Sequence, residues 1–201
     1  MAEPIVFDGT VEWSGENPGI SLKTDPAGPF TALASFFRVV LSPHGRGHAL
    51  VLASTPAAGG APGNLCLTDN EPLARWLIAN YVSHFGAWKG LPALGGLRFV
   101  PAETVRSSGD PASMYTEEVS GGGTTVRLTW RGLGAPFCFA LGPAQSATGR
   151  HHMPSVFIGC ASASIEVNGA ALPGQPVPRV VAGHPISTAM LAFSETWVRV
   201  P

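Results

Sequence analysis

Glycine and proline set the first limit on what this chain can fold into. It carries 25 glycines and 19 prolines in 201 residues, spread along the sequence rather than pooled in one linker. Neither residue sits well in a helix interior, so most stretches between them are too short for a helical fold. The spacing predicts a mainly β chain with strands at 5–7, 10–13, 20–23, 32–41, 48–54, 64–67, 97–100, 113–119, 124–130, 136–141, 155–167 and 187–200. Gly121-Gly122-Gly123 between Val119 and Thr124, and Asn168-Gly169 after Val167, are hairpin signals, because glycine and asparagine supply the positive φ that tight turns need. The stretches 55–63 and 173–178 read as loops.

One segment breaks the pattern. Thr68-Asp69-Asn70-Glu71 has the form of a capping box, and Pro72 suits a first helical turn. From there Leu73, Ala74, Leu77, Ile78, Tyr81, Val82 and Phe85 recur on one face, which predicts an amphipathic helix over 71–86 docked on the sheet. Trp76 falls on its outer side, where an indole needs a partner from a loop, a subunit or a ligand. The fold expected is a single domain, 1–201. It is an antiparallel β-barrel, lipocalin-like or of similar closed form, with one helix packed on it. A two-sheet β-sandwich is the alternative.

Charge narrows the partners. Only 12% of residues are charged, the net charge is −1, and Lys23 and Lys89 are the only lysines. No basic patch exists to neutralise phosphates, which excludes nucleic acid as the expected partner. No apolar run reaches the ~18 residues of a membrane span. Sparse charge leaves apolar surface for a homodimer. The start, Met1-Ala2-Glu3-Pro4, lacks the pattern of a signal peptide, and three widely spaced cysteines read as free thiols, so a reducing cytoplasm is expected. Cys138, between Phe137 and Phe139, reads as core.

The last strand is the most informative for function. Alternation places Ala189, Leu191, Phe193, Glu195 and Trp197 on one face. A carboxylate in such a row is costly unless it is paired or protonated. The strand 32–41 offers a partner, since Ala34, Phe36, Arg38 and Val40 share a face; an Arg38–Glu195 ion pair inside the barrel follows as an expectation. Arg150-His151-His152 opens another strand, where one imidazole can point inward and join Glu195 as an acid/base pair.

The function expected is binding of a small apolar or aromatic molecule in a barrel cavity. Cofactor-independent lyase, hydratase or isomerase chemistry would run on Glu195, His151 and His152, with Arg38, Arg150, Trp197, Phe193, Phe36 and Tyr115 lining the site. A carrier without chemistry is the second reading. A carbohydrate-binding sandwich, with Trp13, Trp130 or Trp197 stacking on sugar rings, is the third. Glu117 and Glu118 are neighbours on a strand and point to opposite faces, so only one can face the interior, and one or both read as solvated. His44 and His48 lie in a glycine-rich turn without the ligand set of a metal site, so no metal and no cofactor are expected. Lys89, just past the helix, is favoured there by the helix dipole alone. No nucleophile elbow or phosphate loop is present.

Overall fold

A computed structural model, which describes residues 7–201, shows a mainly β chain with 55% strand and 9% helix. The strand expected at 5–7 lies outside the described residues except for Phe7. The first two described strands, β1 (Thr10–Glu16) and β2 (Gly19–Leu22), are halves of one broken strand. Both lie between β3 (Ala32–Leu41) and β15 (Ala189–Arg199). The break is Asn17-Pro18, where proline has no N–H to give. Backbone pairing survives there: Asn17 N–H donates to Ala192 O, and Phe36 N–H to Pro18 O, each at 2.9 Å.

From β3 the sheet continues antiparallel through β4 (Gly47–Ala53) and β5 (Asn64–Thr68). Helix α1 (Glu71–Asn80) then carries the chain across, so β6 (Arg98–Pro101) pairs parallel with β5, as a crossover connection requires. A meander follows: β7 (Thr104–Asp110), β8 (Met114–Gly121) and β9 (Thr124–Leu133). The long β11 (His151–Val167) joins the two parts. Its first half pairs with β10 (Phe137–Leu141) and β15, its second half with β9 and the short β12 (Ala170–Ala171). A separate hairpin, β13 (Pro178–Val181) and β14 (His184–Ser187), follows the loop at 173–178, where no strand was expected before 187.

Strands β6 and β7 lie at the two ends of the sheet path, yet only Ala102 and Glu103 separate them. Ala102 N–H donates to Thr68 O on β5, and Glu103 N–H to Ser120 O on β8. The sheet curls accordingly around an inner apolar cluster that includes Phe36, Leu50, Leu52, Leu128, Trp130 and Leu191. A second cluster lies on the outer face. There Leu73, Leu77 and Tyr81 from the helix region cover Trp13, Phe37 and Trp197. Burying both faces explains why β3 reads as a nearly continuous apolar run.

Local differences from expectation have local causes. The helix is ten residues long rather than sixteen, because Tyr81 leaves helical geometry, with φ −131°, and turns its phenol onto Glu12. Its cap is Asn70, whose Oδ1 accepts from Leu73 N–H. Thr68 is still part of β5, and its hydroxyl accepts from Asn70 N–H instead. Trp76 finds its partner in the 42–47 turn, with His44 5.4 Å away between ring centroids. Cys138 is exposed, contrary to the core reading, because strand alternation turns Phe137 and Phe139 inward and Cys138 out.

One irregularity decides the site. Val156 faces Ser194 across the β11–β15 ladder, while Phe157 faces Ala192. Phe193 is therefore the extra residue of a β-bulge, and the alternation of β15 flips there. Ala189, Leu191 and Phe193 belong to the inner cluster; Trp197 belongs to the outer one, with Glu195 bonded to it. The single apolar face expected for 189–197 does not exist.

Candidate functional site

A cavity of about 290 Å³ lies on the outer face of the sheet. Its floor is the junction of β2, β3 and β15; its walls are the turn after the helix, the chain from Phe139 to Ala147, and strand β13. Trp88, Trp197, Phe85, Phe139, Phe157 and Met153 supply an apolar, aromatic lining. Asn17, Ser21, Ser35, Gln145, Arg179, Thr188 and Glu195 supply polarity, and among the described residues Arg179 and Glu195 are its only charged groups.

Glu195 is almost fully buried. Trp197 Nε1–H donates to its Oε1 at 2.7 Å, and Asn17 Nδ2–H donates to the same oxygen at 3.4 Å. Asn17 is itself oriented by Ser35, whose hydroxyl donates to Asn17 Oδ1 at 2.7 Å. Both donors thus converge on one oxygen, and Oε2 takes no bond from the described residues. Burial pushes this carboxyl up to about 7, against the two hydrogen bonds that favour its charge. A proton on Oε2 satisfies this pattern, since Oε1 is the acceptor. The strand break at Asn17-Pro18 is what brings the amide into position.

Arg38 plays no part in this. It lies on the inner side with Phe36, and its guanidinium bridges Glu16 and Glu117, with Nη2 at 3.0 and 3.1 Å from the Glu117 oxygens. The expected Arg38–Glu195 ion pair is overturned, because the Phe193 bulge sends Glu195 to the opposite face. Of the pair Glu117 and Glu118, Glu117 is the one that faces inward, and it is fully buried. Burial raises its carboxyl even though Arg38 and the Ser107 hydroxyl pull the other way. Glu118 pairs with Arg127 on the strand beside it. Tyr115 and Phe193 meet edge to face at 5.0 Å in the inner cluster, near Phe36 and Arg38. Of the residues expected to line one site, Phe36, Arg38, Tyr115 and Phe193 are thus gathered, but away from Glu195.

The histidines also stand apart from the cavity lining. His151 is fully buried: Thr148 Oγ1 lies 2.6 Å from Nδ1, and Glu12 Oε2 lies 2.9 Å from Nε2. Burial lowers its imidazole, although Glu12 opposes this. Burial would raise Glu12, but hydrogen bonds from Tyr81, Arg199 and His151 hold it down to about 2. Trp197 separates this network from the cavity, with its ring 5.5 Å from that of His151. His152 packs against Phe7 at 4.7 Å, and Arg150 donates to Asn80 Oδ1 at 3.4 Å. A joint Glu195–histidine acid/base pair is therefore not assembled. His48 pairs with Asp69, 2.7 Å from Nδ1 to Oδ2, across a distance that sequence spacing does not show. Trp13 and Trp130 are fully buried and offer no face to a sugar ring.

Sequence reasoning missed Arg179, Asn17 and Ser35. A signal for the first exists in Pro178-Arg179-Val180-Val181, an arginine in an alternating apolar segment before an Ala-Gly turn. Asn17-Pro18 interrupting an otherwise strand-like stretch marks the second. Among the described residues no helix is long and apolar enough to cross a membrane. Comparison of the chain with protein-family models, curated proteins and solved structures finds no match.

Proposed function

We propose that this protein binds a small, largely apolar or aromatic molecule in the cavity beside Glu195, and that Glu195 acts on it as a general acid or base. In this reading the curled sheet is a filled, barrel-like shell, and the ligand sits on its outside, under the turn 85–88 and strand β13. The observation that supports it is the Glu195 carboxyl itself. It lines the cavity with tryptophan, phenylalanine and methionine side chains, no cation is bonded to it, one oxygen accepts from two donors, and the other takes no bond from the described residues. A group with a pKa near 7 both gives and takes protons at neutral pH, which suits elimination, hydration or isomerisation without a cofactor.

The test is a fragment screen by ligand-observed NMR on the wild-type chain and on Ala87→Phe, a half-buried wall residue whose added ring would fill the cavity. Aromatic probes should bind the wild type and lose contact with the variant. Probes that bind both equally, or none that binds at all, would overturn the reading.

A further inference from the structure

We infer that the occupant of this cavity is a small aromatic or branched carboxylate, its anion held by Arg179. The inference rests on the reading of the cavity as a small-molecule site and adds the charge and shape of what fills it.

Arg179 stands on β13, where alternation turns Arg179 and Val181 toward the cavity and leaves Val180 69% exposed. Its guanidinium carries five N–H donors. Among the described residues it makes one contact, from Nη2 to the thioether sulfur of Met190 at 3.3 Å. Its Nε is buried and has no partner. Burial lowers its pKa, and no carboxylate counteracts this. Arg38, Arg75, Arg127 and Arg199 each pair with a glutamate, and Arg150, whose Nε is also buried and without a partner, at least donates to Asn80 Oδ1. Glu195, the other charged group of the lining, does not neutralise Arg179, since its bonds go to Trp197 and Asn17.

A partly buried guanidinium without an anion is costly, and a neutral hydrocarbon or sugar in the cavity would leave it unpaired and further from water. One planar fork with two N–H groups in parallel matches a carboxylate. A phosphate dianion would be left half neutralised by this single cation. In the same lining, the Glu195 carboxyl, when protonated, can donate a hydrogen bond to an oxygen of the ligand. The aromatic walls, Trp88, Trp197, Phe85 and Phe157, enclose the apolar body. About 290 Å³ is near the lower end of small-molecule sites, which sets the size at a single ring or a short branched chain.

Isothermal titration calorimetry on the full chain tests this with benzoate, phenylacetate, 3-phenylpropanoate and 4-methylpentanoate, each beside its primary amide, and with inorganic phosphate. At least one acid should bind the wild type about tenfold or more tightly than its amide, the scale of a charge-assisted hydrogen bond. Arg179→Gln should abolish that preference while its circular dichroism stays that of the wild type. Arg179→Lys, which keeps the charge but not the fork, should restore part of it. Acids and amides binding alike, a preference that survives Arg179→Gln, or phosphate binding more tightly than every acid would overturn the inference and leave the cavity reading standing. No binding by any acid or amide would overturn both.

Discussion

At Glu195 the cost of burial is offset by hydrogen bonds rather than by a cation, and that difference has a sign. Its folded pKa of about 7 lies above the ordinary carboxyl value of 4.5. The folded state therefore holds more protons than the unfolded one between these values, and stability falls as pH rises through them. Below that window the carboxyl is neutral in both states and costs little. Glu195→Gln keeps the shape and the Oε1 acceptor but never ionises. The variant should match the wild type near pH 4 and exceed it at pH 8 by on the order of 2–3 kcal/mol in urea unfolding. A variant less stable than wild type at pH 8 would mean that the carboxylate is paired after all. That Glu195 is special was legible from its apolar neighbours Phe193 and Trp197. Its partners were not, because a single bulged residue reverses the face and leaves no mark in the sequence pattern.

Among the elements, the two-residue hairpins show where local sequence suffices. Gly122-Gly123 and Asn168-Gly169 both take positive φ at both turn positions, and both were readable as turns. The β13–β14 hairpin uses Ala182-Gly183, and Ala182 sits at φ 49°, where a Cβ is unfavourable. The signal was weak because alanine is a poor residue for that turn. Ala182→Asn should stabilise the protein by about 0.5–1 kcal/mol, read as a rise in Tm of roughly 2 °C or more by calorimetry. A fall would show that the turn geometry is not the one described. This hairpin also carries Arg179, so the strained turn is part of what holds the cation over the cavity. β7 escaped notice for another reason. Thr104–Asp110 is a mostly exposed edge strand with no apolar alternation to betray it. The helix was legible in place and face; its end was not, because the Tyr81–Glu12 contact that stops it is tertiary.

At the scale of the molecule, the mainly β composition followed from glycine and proline spacing, and the helix from its capping signal and apolar period, but the location of the cavity did not. Strands apolar on both faces do not say which face is filled and which is left open. Here the inner side is packed by Phe36, Trp130 and the leucines around them, while the Trp-rich outer side, roofed by the helix turn and a hairpin, holds the cavity. The account stands on one claim above others: Glu195 is a carboxyl lining that cavity with no cation paired to it. Carbon-13 NMR of glutamate side-chain carboxyls, titrated from pH 3 to 9 in the wild type and in Glu195→Gln, measures it directly. One resonance should titrate with a midpoint near 7, vanish in the variant, and move when an aromatic ligand is added. If every glutamate carboxyl titrates at or below 4.5, Glu195 is neutralised or solvated, and the proposed chemistry loses its acid.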